Sequence, residues 1–210
     1  RSLSNYTLRK EEYGYYIHDE LSVLKNLILS GGYRNDRAHF KFEPGTPESV
    51  QTGQEAYTTG LNYLYSGKSY LYASYTKGFR YPVLDEFFSF FTNTVSSALM
   101  PQQSDDYELG LRHYFTEAMV LHLNFFRLDA KNEIFFNPAT YANENLDGLT
   151  RRQGMELSFS ARVSARLSFQ GSYTYLQAEI KEGQFAGKDI PGVSKNKATL
   201  GVSFLPIKEL

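Results

Sequence analysis

The residues of this chain that could do chemistry are few, and their spacing fits no reaction. Asp105, Asp106 and Glu108 crowd together as an acidic group, from which a metal site or a general acid could be built. A metal would want histidine or cysteine at ligand spacing; there is no cysteine, and the four histidines, His18, His39, His113 and His122, are scattered. A Ser/His/Asp nucleophile needs a base and an orienting group beside it, and no set is spaced for that. The acidic group is therefore predicted to be a solvated strand start with Glu108 turned inward. The chain is expected to have no catalytic residue, no metal site and no cofactor.

What the sequence does concentrate is aromatic side chains: 17 Tyr and 16 Phe, with no Trp. The segment 79–104 holds Phe79, Arg80, Tyr81, Phe87, Phe88, Phe90 and Phe91. Rings and a fixed cation together suit an aromatic or anionic ligand through stacking, cation–π and charge-assisted contacts. The same rings could equally pack loop on loop or fill an interface girdle. Arg151 and Arg152 could complete an anion-attracting mouth, and Tyr141 joins the candidate set.

The bulk properties exclude several classes. The 22 basic residues nearly balance 23 acidic ones, so no basic footprint for nucleic acid exists. Without cysteine there is no disulfide framework and no thiolate metal site. The start of the chain, Arg1–Arg9, is polar and reads as no signal peptide. No apolar run approaches the ~18 residues of a spanning helix. The mean hydropathy of −0.43 excludes a helical membrane protein only, because a barrel wall alternates and its hydropathy averages out.

The elements that must position the candidates are strands. Ser69–Pro82 sets Leu71, Ala73 and Tyr75 against Tyr72, Ser74 and Thr76, a period of two. About nine such runs are predicted, at 5–19, 27–41, 54–65, 69–78, 105–115, 118–136, 148–163, 167–180 and a last one reaching residue 204, with no helical periodicity. Within 118–136 the apolar parity of Met119, Leu121, Leu123 and Phe125 passes to Arg127, Asp129 and Lys131. Either a bulge lies there or the strand has left the membrane. The breaks alternate short and long, the long ones at 42–53, 79–104, 137–147 and 181–193. Outer-membrane barrels show that asymmetry, with short periplasmic turns and long extracellular loops. The predicted fold is an all-β, antiparallel up-and-down transmembrane β-barrel. The alternative is a soluble β-sandwich that binds a ligand or glycan. Nine strands ending at Ile207–Leu210 cannot close, since an open sheet would leave unpaired edges in lipid, so residues 1–210 are expected to be part of a larger barrel.

Four motifs carry a family resemblance. YASYTKGFRYPVLDE (Tyr72–Glu86), SDDYELGLRHYF (Ser104–Phe115), GLTRRQGMELSFSARV with SYTYLQAEI, and IPGVSKNKATLGVSF resemble, in order and spacing, strands of the TonB-dependent receptors of Gram-negative outer membranes. The resemblance implies a 22-stranded barrel plugged by an N-terminal globular domain. It implies import of a scarce ligand, usually a ferric siderophore, with energy from a TonB–ExbB–ExbD complex. On that basis the chain is a piece of barrel wall facing outer-membrane lipid, with the plug domain, early strands and last strands outside it. Arg34, Glu108, Arg112, Glu156 and Arg162 share the polar parity; they would meet the plug in a large barrel or form interior ion pairs in a small one.

Overall fold

The computed structural model describes residues 6–45 and 47–206. The expected run from residue 5 and the end at Ile207–Leu210 therefore reach outside the described residues. The strands are β1 (Thr7–Leu24), β2 (Leu27–Glu43), β3 (Ser49–Ser66), β4 (Ser69–Arg80), β5 (Phe88–Ser89), β6 (Thr94–Val95), β7 (Gln102–Thr116), β8 (Met119–Lys131), β9 (Ile134–Asn137), β10 (Ala142–Asn145), β11 (Leu149–Arg162), β12 (Leu167–Ile180) and β13 (Asn196–Phe204). Nine of them form one sheet in the order β1-β2-β3-β4-β7-β8-β11-β12-β13. Every neighbour in it is antiparallel, and β5–β6 and β9–β10 make small hairpins inside two of the long loops.

The connections alternate as the breaks predicted: tight at 25–26, 67–68, 117–118 and 163–166, long at 81–101, 132–148 and 181–195. Gly67, at φ +54°, supplies the left-handed residue that its two-residue turn needs. The break expected at 42–53 shrinks to 44–48, because β2 runs on through the buried Phe42 to Glu43 and β3 already begins at Ser49. The run expected at 118–136 stops at Lys131, and its last residues form β9. No register shift interrupts β8 at Phe125–Phe126 on either side, so the anomaly there is not a bulge.

Register puts the two side-chain sets on opposite faces. Leu21, Leu29, Leu61, Ala73, Leu109, Phe125, Met155 and Tyr175 are successive cross-strand partners, one row across the apolar face. Leu111, Leu123 and Leu157 continue it, with Leu200 and Val202 arriving on the same face opposite Gly171 and Phe169. Glu108, Arg112, Glu156 and Ser158 stand on the other, polar face.

The strand ends recede from that row: Leu24 is three residues beyond Leu21, Ser66 five beyond Leu61, Thr116 seven beyond Leu109. A stagger of one residue per strand, ~3.3 Å along against ~4.8 Å across, tilts the strands by about 35°. That lies within the range of outer-membrane barrels.

Two aromatic belts edge the apolar face. Tyr33 and Tyr75 lie six residues after Leu27 and Ser69, while Tyr57 and Tyr107 lie nine before Ser66 and Thr116. The pairs Tyr33–Tyr57 and Tyr75–Tyr107 touch at 5.3 and 5.1 Å. Toward the short turns, Tyr65 stacks on His113 at 5.9 Å and His113 meets Phe115 at 4.5 Å. From Tyr107 to Phe115 is eight residues of tilted strand, about 22 Å of height, close to the apolar band of such barrels.

A packed cluster lies at the long-loop end, where Ala38, Phe40 and Phe42 of β2 are covered by Tyr81, Phe87 and Leu99 of the 81–101 loop.

Candidate functional site

The long loops 81–101 and 132–148 are built as one body. In the first, a 3₁₀ turn at Leu84–Phe87 aims Phe87 between Phe40 and Phe42, each at 5.0 Å. In the second, β9 and β10 fold the loop back on itself. Asn145 then joins the two: its amide donates to the carbonyls of Met100 (3.0 Å) and Asn132 (2.8 Å), and its oxygen accepts from Met100 N–H (2.7 Å). The Asn143 amide donates to the Glu86 carbonyl (3.0 Å), and the Ser89 hydroxyl donates to the Tyr141 carbonyl.

This frame sorts the sequence candidates. Tyr81 is buried, its hydroxyl donating to the Asp36 carbonyl (3.0 Å), and burial pushes that hydroxyl up to about 12. Phe87 is 1% exposed. Neither ring offers a face to a ligand, which corrects the expectation for both. Phe88 is half-buried, between Tyr6 (5.5 Å) and Phe90 (4.8 Å). Phe90 and Phe91 are 80% and 74% exposed, the most exposed rings of this loop. Phe91 faces Tyr141 at 5.3 Å and Phe136 at 6.1 Å, both half exposed. Phe136 was missed in the sequence because it was assigned to a strand; the Phe135-Phe136 pair beside asparagines was the signal available.

The cations are spent in ion pairs. Arg80 grips Glu86 through both Nη groups (2.8 and 2.9 Å) and also bonds Gln102. Burial works against the Glu86 charge, yet Arg80 and the Val83 N–H hold that carboxyl below its usual range. Arg152 pairs with Glu133 (2.6 Å) on the polar face. Arg151 lies on the apolar face, in register with Asp129, and is bound to it at 2.6 Å. Arg151 therefore does not complete the mouth, and the two arginines expected to act together point to opposite sides of the wall.

Arg34, Glu108, Arg112, Glu156 and Arg162 do share one face by register. Arg34 pairs with the buried Asp36 and, with Tyr16, His18, Thr58, Thr76 and Phe79, lines a hollow of about 750 Å³. Lower on that face, Tyr72 crosses Gly110 to reach His122 (3.1 Å); a Cβ on Gly110 would stand 2.2 Å from the Tyr72 ring. In the row that Tyr72 and Gly110 share, the buried amide oxygens of Asn62 and Asn124 have no partner among the described residues.

A family model described as TonB dependent receptor-like, beta-barrel matches residues 2–208. The ferrichrome outer membrane transporter/phage receptor of Escherichia coli K12 is 24% identical over 200 residues, 93% of this chain and 26% of that protein. The metal-pseudopaline receptor CntO of Pseudomonas aeruginosa is 28% identical over 112 residues, 52% of this chain and 16% of that protein. Among solved structures, the ferric-catecholate import receptor Fiu of E. coli K12 superposes with a TM-score of 0.73 at 18% identity, over 97% of this chain and 33% of that one. The copper transporter OprC gives 0.76 at 16% identity, over 93% and 32%. The chain thus spans about a quarter of the length of the first of these curated relatives and less of the second.

Proposed function

Because the chain belongs to the TonB-dependent receptor family, as β-barrel wall in the Gram-negative outer membrane, we propose that it forms the ligand-capturing part of a receptor that imports a ferric siderophore, driven by a TonB–ExbB–ExbD complex. The apolar face meets lipid, the polar face turns to the lumen, and the long loops stand outside the cell. The observation that supports the reading is the ring platform: Phe90, Phe91, Phe136 and Tyr141 are presented to solvent on two loops that are tied together beforehand. Rings held in place lose little freedom on binding, so their stacking is retained as affinity. With Arg80, Arg151 and Arg152 already paired, capture depends on stacking more than on charge.

The wall's polar face suits the receptor's own plug domain. Asn62 and Asn124 hold buried oxygens that ask for a donor, and Glu108, Arg112 and Glu156 lie beside them. Arg34 and Arg162 extend that surface toward its two ends.

The test is equilibrium binding of a ferric tris-catecholate and a ferric trihydroxamate to the full-length receptor and to its Phe90→Ala/Phe91→Ala variant. Each stacking ring is worth ~0.5–1.5 kcal/mol beyond its area, so about tenfold weaker binding of one probe is expected with heat-modifiability intact. Unchanged affinity for both probes in a folded barrel would make the rings structural.

A further inference from the structure

Above the tyrosine belt the wall parts between β3 and β4. Their pairing ends at Tyr57 opposite Lys77, although β3 begins as high as Ser49 and β4 runs on to Arg80. The upper end of β4 stays with β7 instead, and three contacts show where the two go. Phe79 and Gln103 carry the outward parity of their strands. Yet the Arg34 guanidinium covers the Phe79 ring at 5.7 Å, and the Gln103 amide donates to the Gln54 side chain (2.7 Å). Arg34 and Gln54 belong to the inward parity of β2 and β3. The Tyr81 hydroxyl, on the Asp36 carbonyl, makes the third contact with that inner surface. The wall is therefore two-ply here, with β1–β3 in front and β4, β7 and the 81–101 loop behind. Gly53 lies four residues before Tyr57, about 11 Å above the belt along a strand tilted by about 35°. A leaflet's headgroup layer is roughly 5–8 Å thick, so Ser49–Gly53 stands in water.

The parting leaves one edge of β3 open. The Phe42 N–H donates to the Glu48 carbonyl (2.8 Å), so the bonded pairs of the β2–β3 ladder continue as Phe40 with Val50 and Ala38 with Thr52. Ser49, Gln51 and Gly53 turn their N–H and C=O groups the other way. All three are exposed, and among the described residues no strand or loop backbone bonds them there. Strand edges in water are ordinarily guarded by lysine, proline or a bulge. Ser49–Glu55 reads SVQTGQE and has none of these. Its one charge, Glu55, is held by the hydroxyls of Tyr33 (2.9 Å) and Tyr57 (2.6 Å). Arg37, the partner of Gly53 on β2, makes no ion pair among the described residues. Its Cγ lies 3.8 Å from where a Cβ on Gly53 would stand, so the side chain reaches toward the edge through the gap that the glycine leaves.

We propose that the open edge of β3 takes up an extended segment of a partner protein outside the cell, by strand addition, with an acidic side chain opposite Gly53 that meets Arg37. The assignment rests on the long loops facing outside. Backbone groups supply the affinity, and Arg37 supplies the choice of side chain. A second copy of the receptor does not fit, because adding its own β3 antiparallel would stand it upside down in the bilayer. The 81–101 loop does not fit either, since Tyr81 and Phe87 anchor it to the inner surface of β2.

The experiment reads amide exchange residue by residue in the full-length receptor, in detergent, with the capped heptapeptide Thr-Val-Thr-Glu-Thr-Val-Thr as probe. Without peptide, the amides of Gln51 and Gly53 should exchange at close to open-chain rates. Protection there would mean that the receptor covers its own edge, and would overturn the proposal. At about 1 mM peptide both amides should slow at least twofold, and no change would overturn it. The fully N-methylated peptide keeps the side chains and loses the donors, so it should give no protection; equal protection would overturn strand addition. Gly53→Pro removes one edge donor and leaves the bonds to β2 in place, and should weaken peptide binding about tenfold with heat-modifiability intact. Arg37→Gln should weaken it about threefold and leave a peptide with Gln in place of Glu unaffected. Equal effects on both peptides would overturn the acidic preference. Capture of the ferric probes by Gly53→Pro should match the wild type, so a failed ring platform and a failed edge give different results.

Discussion

Replacing Phe87 with Ala should free the 81–101 loop without unfolding the barrel. The ring is buried against Phe40 and Phe42, each 5.0 Å away. Deleting a buried phenylalanine costs ~3–5 kcal/mol, which includes the ring–ring terms and the cavity left behind. None of the nine sheet strands runs through Phe87, so the loss falls on the docking of the loop and not on global stability. If docking governs exposure of the loop, each ~1.4 kcal/mol is a decade, and the open population rises roughly a hundredfold to a few thousandfold. Hydrogen exchange on peptides covering 84–95 of the full-length receptor, followed by mass spectrometry, reads this directly, with heat-modifiability as the check on the barrel. Phe91→Ala is the comparison: its ring is 74% exposed, and its removal should leave exchange unchanged. Equal protection in Phe87→Ala and wild type would refute the anchoring role. Loss of the folded barrel in Phe87→Ala would refute the separation of loop from wall.

Two further outcomes follow from the same geometry. Leu157 and Ser158 are neighbours on opposite faces, so Arg at Leu157 should cost ~2–4 kcal/mol near the bilayer midplane and Arg at Ser158 much less. Reversible folding of the receptor into lipid vesicles measures the difference, and equal costs would mean the faces are misassigned. The Glu86 carboxyl is held below its usual range when the loop is docked, so the stability it contributes is present above the ordinary Glu value and lost as pH falls through the depressed one. Loop exchange should therefore accelerate on acidification below about pH 4, after correction for intrinsic rates. Glu86→Gln should exchange faster at neutral pH and lose the acid dependence; a wild-type loop indifferent to pH would show that the Arg80 pair contributes nothing.

The sequence is legible where lipid enforces alternation. Met155, Leu157 and Phe159 against Glu156, Ser158 and Ser160 state the face of β11 outright. It is illegible above the membrane: Ser49–Gly53 carries Val50 as its one apolar residue, packed on the cluster of Phe40 and Phe42, so these five residues of β3 read as loop. Within the run Phe87, Phe88, Phe90 and Phe91, composition cannot say which ring is buried. That is decided by one 3₁₀ turn and by the phenylalanines of β2, some forty residues earlier. Asn145 has no pattern at all, since its three bonds go to backbone brought together only by folding. Arg151 and Arg152 look like a pair in sequence, and adjacency in a strand is what separates them.

The one-residue stagger makes each hydrogen-bonded row a screw thread and not a contour of equal depth. The row that begins at Ile17, Tyr33 and Tyr57 continues through Lys77, Asp105, Asp129, Arg151 and Glu179. Its first members lie at the edge of hydrocarbon and its last among ions, though every step is an ordinary cross-strand pair. Residues bonded side by side thus work in different dielectrics, and a charge tolerated at one turn of the thread becomes costly a few strands back along it.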